Sequence, residues 1–218
     1  MLNLKWIDVK VLYFYFDMWK RSLIVGFIIA VLPTFGQNIF YRTFTSGNGA
    51  DVAQDIVETS DGGSLIVGWS ENLHFKNAGL IIKVDSIGDL QWAKSYLGNQ
   101  SSSFYKIIQS TDSNYIVAGL YESVDESSYF YLMKIDQLGD TLWTRTVGCG
   151  KETELTGLEL NGDRIVLGGS TDCYTDTSSG INILNSTYLV MTDLNGMPLY
   201  GRGFSSEIGG EIGGYADG

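Results

Sequence analysis

The residues best suited to chemistry in this chain are acidic, and they recur. Asp85 and Asp89 sit in KVDSIGDLQW (83–92), and Asp136 and Asp140 sit in KIDQLGDTLW (134–143). Paired aspartates beside turn carbonyls offer oxygen ligands of the kind calcium takes. Their spacing does not match an EF-hand loop, however, and hairpin-turn chemistry accounts for them. Asp172 and Asp176 in STDCYTDTSSG are a similar case. Two carboxylates could also cleave a glycosidic bond, but nothing singles out a pair. The chain has one histidine, His74, in the loop SENLHFKNAG, where solvent exposure is expected. No HExxH, GxSxG or phosphate loop occurs. The residues therefore assign no catalytic group, no cofactor and no metal, and a non-enzymatic role is expected.

The aspartates belong to a repeat. A third, weaker copy follows at MTDLNGMPLY (191–200), and the turn residues align as Asp85–Gly88, Asp136–Gly139 and Asp193–Gly196. The glycine-to-glycine periods are 51 and 57. A second motif recurs in phase: DGGSLIVG (61–68), DSNYIVAG (112–119) and NGDRIVLG (161–168), ending at Gly68, Gly119 and Gly168. Two motifs in step define an internal repeat of about fifty residues, within the range of propeller blades.

Each repeat reads as four strands. In the first these are AQDIVET (53–59), LIVGW (65–69), GLIIKVD (79–85) and LQWAKSY (90–96). GLIIKVD is a continuous apolar run, as expected for a strand covered on both faces. At each third-to-fourth turn, Asp is expected to accept backbone N–H bonds while Gly takes the left-handed position that opens a bulge. The second repeat has FYKIIQS, NYIVAGLY, YFYLMKID and TLWTRTV; the third has ELTGLEL, RIVLGGS, TYLVMTD and PLYGRGF. The expected fold is all-β: a β-propeller of four-stranded antiparallel blades, with repeats at about 40–97, 98–148 and 149–204 and a fourth beginning at 205–218. Trp92 and Trp143 are expected to pack on the neighbouring blade, with Tyr200 in that place in the third.

The Asp-x-x-Gly-x-x-x-Trp spacing resembles the tryptophan-docking repeat of quinoprotein-type propellers. The full pattern resembles more closely the secreted propeller repeat proteins of Bacteroidetes-type bacteria, whose blades read roughly A-x-x-I-x-x-T-x-DGG-Y-I-V-x-G and then K-x-D-x-x-G-D-x-x-W. That resemblance covers about residues 40–218 and implies export, commonly by type IX secretion with a C-terminal sorting domain. It is nearly silent on ligand. Ser64 stands where the family usually has Tyr, and Tyr115 restores it in the second repeat. Quinoprotein dehydrogenases usually carry adjacent cysteines and Ala-x-Asp, where this chain has Lys83-x-Asp85 and Lys134-x-Asp136.

The N-terminus points to export independently. Lys20-Arg21 precede SLIVGFIIAVLPTFG (22–36), an apolar core too short for a membrane span and long enough for a signal peptide. Residues 1–36 are expected to be a leader, with translation starting at Met18 and cleavage leaving Gln37 first; a retained anchor is the alternative. The leader holds four basic residues (Lys5, Lys10, Lys20, Arg21) and two acidic ones (Asp8, Asp17), so 10 basic and 23 acidic residues remain beyond it, a net of −13. Such a surface repels phosphate backbones, so neither nucleic acid nor, once the leader is removed, membrane insertion is expected. About three and a half blades follow Gln37, short of the 4–8 of a closed ring, which leads us to expect a longer propeller.

Three roles remain. The first is a secreted or cell-surface propeller that binds protein or glycan through loops at one end. The second is a propeller-fold enzyme, either a quinoprotein-like dehydrogenase or a glycan-cleaving one. The third is a purely structural repeat. The first is the expected one. The only two cysteines, Cys149 and Cys173, flank the hairpin around Asn161-Gly162-Asp163. Opposed residues there are expected to have a position sum of 324, and the cysteines sum to 322. A disulfide clipping the open end of that hairpin is expected in an exported protein.

Overall fold

A computed structural model describes residues 42–45, 49–71, 77–96, 100–148, 153–172, 174–176, 181–183, 186–205 and 210–215. The expected leader, His74, Cys149 and Cys173 lie outside these residues. The described chain is all-β, without helices.

The first sheet is an antiparallel meander of β1 (Asp51–Glu58), β2 (Ser64–Glu71), β3 (Asn77–Val84) and β4 (Leu90–Tyr96). The second repeats it with β5 (Ser102–Gln109), β6 (Tyr115–Glu122), β7 (Ser128–Ile135) and β8 (Thr141–Val147). In the third, β9 (Thr153–Asn161) and β10 (Arg164–Thr171) are followed by a short hairpin, β11 (Tyr174–Asp176) and β12 (Ile181–Ile183), before β13 (Ser186–Asp193) and β14 (Pro198–Ser205). The hairpin β11–β12 was not expected from the sequence. It explains why the second turn-glycine period is 57 and not 51. A final strand, β15 (Gly210–Tyr215), pairs with β14 and gives the third sheet the order β15-β14-β13-β10-β9. The first strands of the sheets lie beside one another, β5 between β1 and β9.

Two irregularities recur in each of the three large sheets. The first strand bulges, with Gln54, Tyr105 and Thr156 left out of the pairing with β2, β6 and β10. Beside each bulge a carbonyl comes so close to the second strand that only glycine fits. A Cβ would sit 1.8 Å from the Val52 oxygen at Gly68 and 2.0 Å from the Ser103 oxygen at Gly119. In the third sheet the crowded position is Gly169, 2.0 Å from the Glu154 oxygen, whereas Gly168 faces open space. Gly169, not Gly168, is therefore the structural counterpart of Gly68 and Gly119. The fourth strand also bulges, leaving Lys83 opposite Trp92, Lys134 opposite Trp143 and Met191 opposite Tyr200.

Apolar residues of adjacent sheets interlock in two layers. Leu65, Val67 and Ile81 meet Phe104, Ile107, Val117 and Met133 between sheets one and two. Ile116, Phe130 and Leu132 meet Leu158, Ile165, Leu167 and Tyr188 between sheets two and three. Among the described residues, only sheet two buries both faces. Strand β6 is buried at five consecutive residues, whereas β2 and β10 alternate between buried and partly exposed residues. The apolar run at 79–85 implied cover on both faces. In the structure Leu80 and Ile82 are only partly buried, because no described sheet lies against that side of sheet one.

Candidate functional site

The acidic turns that the sequence singles out are closed by their own aspartates. Asp85 Oδ1 accepts the N–H groups of Ile87 and Asp89 at 3.0 and 2.9 Å. Asp136 Oδ1 accepts those of Leu138 and Asp140 at 2.9 and 2.8 Å, and Asp193 Oδ1 those of Asn195 and Met197, both at 2.8 Å. Gly88, Gly139 and Gly196 take φ of 81°, 79° and 76°, the left-handed region that glycine enters without steric cost. The carboxylates are thus committed to folding the turn. No group of three metal-ligating side chains occurs among the described residues.

These turns are also where the sheets dock. A Cβ on Gly139 would lie 2.6 Å from the Trp92 ring, and one on Gly196 would lie 2.7 Å from the Trp143 ring. Each tryptophan therefore lies against the glycine turn of the next sheet. Around the first contact, Lys94 Nζ pairs with Asp140 at 2.6 Å and the Tyr96 hydroxyl donates to the Gly139 carbonyl at 2.5 Å. Burial pushes the Tyr96 phenol well above its ordinary pKa.

The lysines of the repeat take a role that sequence reasoning missed. Lys83 is buried; its Nζ donates to both Asp61 carboxylate oxygens at 3.0 and 2.9 Å and to the Val84 carbonyl at 2.9 Å. Lys134 is buried likewise and bonds Asp112 at 2.7 Å. Each pair ties the first turn of a sheet to its third strand. Both pairs span 22 residues, a spacing that marks them as part of the repeat but not as partners. The Lys83 ammonium, with the Thr59 hydroxyl and the Gly63 N–H, holds Asp61 below the usual carboxylate range. The Lys134 ammonium and the Asn114 groups bring Asp112 down to about 2.

The opposite end of the sheets carries the β2–β3, β6–β7 and β10–β13 connections. In sheet two it is a compact turn over residues 123–127, closed by Ser123 N–H to the Ser127 carbonyl at 2.8 Å and by a short hydrogen bond from the Ser123 hydroxyl to Asp125. Val124 stands 83% exposed at its tip. An aromatic series runs from the core toward this end: Tyr96, Phe104, Tyr131 and Tyr121, with successive ring centroids 5.6, 6.2 and 6.3 Å apart. In sheet three the same end carries the β11–β12 hairpin and Asp172.

Near the turn of the β9–β10 hairpin, opposed residues sum to 325, with Asn161 opposite Arg164; beyond the bulge the sum is 324, with Thr171 opposite Thr153. The turn is thus the pair Gly162-Asp163, with Gly162 at φ 65°. Compared with protein-family models and with curated proteins, the chain matches none.

Proposed function

We propose that this is an exported β-propeller repeat protein, on the cell surface or in the medium, that binds protein or glycan through the loop end and performs no catalysis there. The observation that carries this reading is the contrast between the two ends of the sheets. At one end every singled-out aspartate is held by turn amides or a basic side chain. At the other, the connection grows into the β11–β12 hairpin in sheet three, and in sheet two an aromatic series reaches partly exposed Tyr121, three residues before exposed Val124. Aromatic rings with a polar edge suit both sugar faces and protein hot spots. First strands lying together, with successive sheets docked tryptophan to turn, support a propeller arrangement.

The test is a glycan array and a surface-protein binding screen with the exported chain. It is accompanied by Tyr121→Ala and by a variant in which residues 172–185 are replaced by the 123–127 loop. Binding by the parent that drops at least about tenfold in one variant, with both variants still folded, supports the reading. Binding that neither change alters, or no binding at all, overturns it. N-terminal sequencing of the exported chain checks the export route, with Gln37 expected first.

A further inference from the structure

Nine large apolar side chains stand exposed among the described residues, and six of them sit in one kind of place. Ile87 and Leu90, Leu138 and Leu142, and Met197 and Leu199 flank the glycine turn between the third and fourth strands of sheets one, two and three. The least exposed of the six is Leu199 at 47%, and the most exposed is Leu138 at 67%. The turn itself does not require them, since it is closed by the aspartate, the glycine φ and backbone amides. The docking of successive sheets makes the three pairs neighbours. Trp92, two residues after Leu90, lies against Gly139, the residue after Leu138. Trp143, the residue after Leu142, lies against Gly196, the residue before Met197. The six side chains therefore follow one another along the turn end from sheet to sheet. Exposed apolar groups lined up in this way mark interaction surfaces.

The same turns set charge beside the row. Asp61, Asp89, Asp112 and Asp140 are neutralised by Lys83, Arg42, Lys134 and Lys94. Arg42 belongs to residues 42–45, which lie against the free face of sheet one. Asp85, Asp136 and Asp193 differ. Their donors are uncharged, the turn amides with Gln91 at Asp85 and Asn195 at Asp193, and no lysine or arginine pairs with them among the described residues. Sheets one and two thus repeat a module of one unneutralised carboxylate and two exposed apolar groups. At the third turn Arg145 supplies the opposite charge, its stem against Gly196 and its guanidinium 5.9 Å from the Trp143 ring centre.

We propose that this row is a second interaction surface, at the end opposite the loops, and that it binds a cationic polypeptide segment in which lysine or arginine alternates with apolar residues. The apolar residues of the segment cover the row, and its cations meet Asp85 and Asp136. Burial of the exposed apolar groups supplies affinity, and the carboxylates select the sign of charge. A second copy of the chain does not fit this description. Beyond residue 36 it holds 10 basic residues against 23 acidic ones, and the closest two basic residues, Arg145 and Lys151, are 151 − 145 = 6 positions apart. Anionic membrane is repelled by the same acidity.

The probe is a synthetic peptide of alternating leucine and lysine, titrated into the isolated 218-residue chain. It should bind. The variant carrying both Leu138→Ser and Leu142→Ser should bind about tenfold more weakly or less, while unfolding at the parent's temperature. Asp136→Asn keeps the oxygen that closes the turn and removes the charge; it should weaken binding about threefold at low salt and have no effect in about 1 M salt. No binding, or binding that the double variant leaves unchanged, overturns the proposal. Equal binding of oligolysine overturns it by reducing the attraction to charge, and equal binding of a leucine–glutamate peptide overturns it by showing no selection. Dimers of the parent that the double variant abolishes identify a second copy as the occupant and overturn it as well. Tyr121→Ala should leave peptide binding unchanged; a loss there places the peptide at the loop end and overturns the proposal. This surface and the loop-end reading therefore fail separately.

Discussion

Sheets one and two are the same four strands with the same turns, yet one residue type at one position lives in two environments. Ile107 of sheet two is 3% exposed and Ile56 of sheet one is 60% exposed. Leu158 at this place in sheet three is again buried. The repeat specifies an apolar face, and a neighbouring sheet decides whether that face becomes core. A second contrast sets sheets one and two against sheet three. The buried lysine and its aspartate occur together in the first two. In the third, Met191 stands at the lysine position and the shortened Gly162-Asp163 turn replaces the aspartate's turn. Both partners are gone together. This fits the physics of such pairs, since a buried ammonium without its carboxylate costs more than the loss of both.

The largest expected effect comes from the first contrast. Ile107→Ala should destabilise the chain by about 3 kcal/mol, and Ile56→Ala by no more than about 0.5 kcal/mol, by urea denaturation. Similar losses at both sites would break the comparison by showing that the isolated chain already covers sheet one.

Next come the adjacent glycines of sheet three. Gly169→Ala drives a Cβ into the Glu154 carbonyl and should cost about 2–3 kcal/mol; Gly168→Ala meets nothing and should stay within about 0.5 kcal/mol. The same denaturation series reads both. A reversed order would restore Gly168 as the counterpart of Gly119.

The ion pair gives a smaller effect with a distinctive pattern. Asp112→Asn leaves the Lys134 ammonium buried without its carboxylate and should cost about 1–2 kcal/mol, discounted for the solvent that reaches Asp112. Adding Lys134→Met imitates sheet three and should recover most of that loss. A double-mutant cycle checks it, and additive losses would show that the pair is not a unit.

The smallest effect is on pH dependence. The Asp112 carboxyl is depressed in the folded chain to about 2, below its value of about 4 when unfolded. Its contribution is therefore fully present above about pH 4 and is lost as pH falls through about 2. The Asp112→Asn/Lys134→Met chain should show a flatter decline of the urea midpoint between those values; parallel declines would remove the pair as the cause.

The turns were readable because their chemistry is local. Asp85, Asp136 and Asp193 bond amides two and four residues ahead, and each glycine three residues on needs only its own φ. The role of Lys83 and Lys134 was hidden for the opposite reason. A lysine on a strand reads as solvated, and only the fold brings Asp61 and Asp112 over the strand to meet it. The β11–β12 hairpin was hidden by polar, turn-forming residues that read as loop. Gly168 and Gly169 could not be told apart, because the bulge at Thr156 that chooses between them lies on the other strand of the pair.

What the sequence determined by itself is the unit: four strands, their turns, their order and the period, all set by alternation and turn chemistry within a few residues. The tertiary structure decided what the unit touches. Which apolar face is core, which glycine admits a carbonyl, which lysine is buried and where residues 42–45 lie all depend on chain segments tens of residues away. Burial and close approach are properties of pairs of surfaces, and a repeat writes only one surface of each pair.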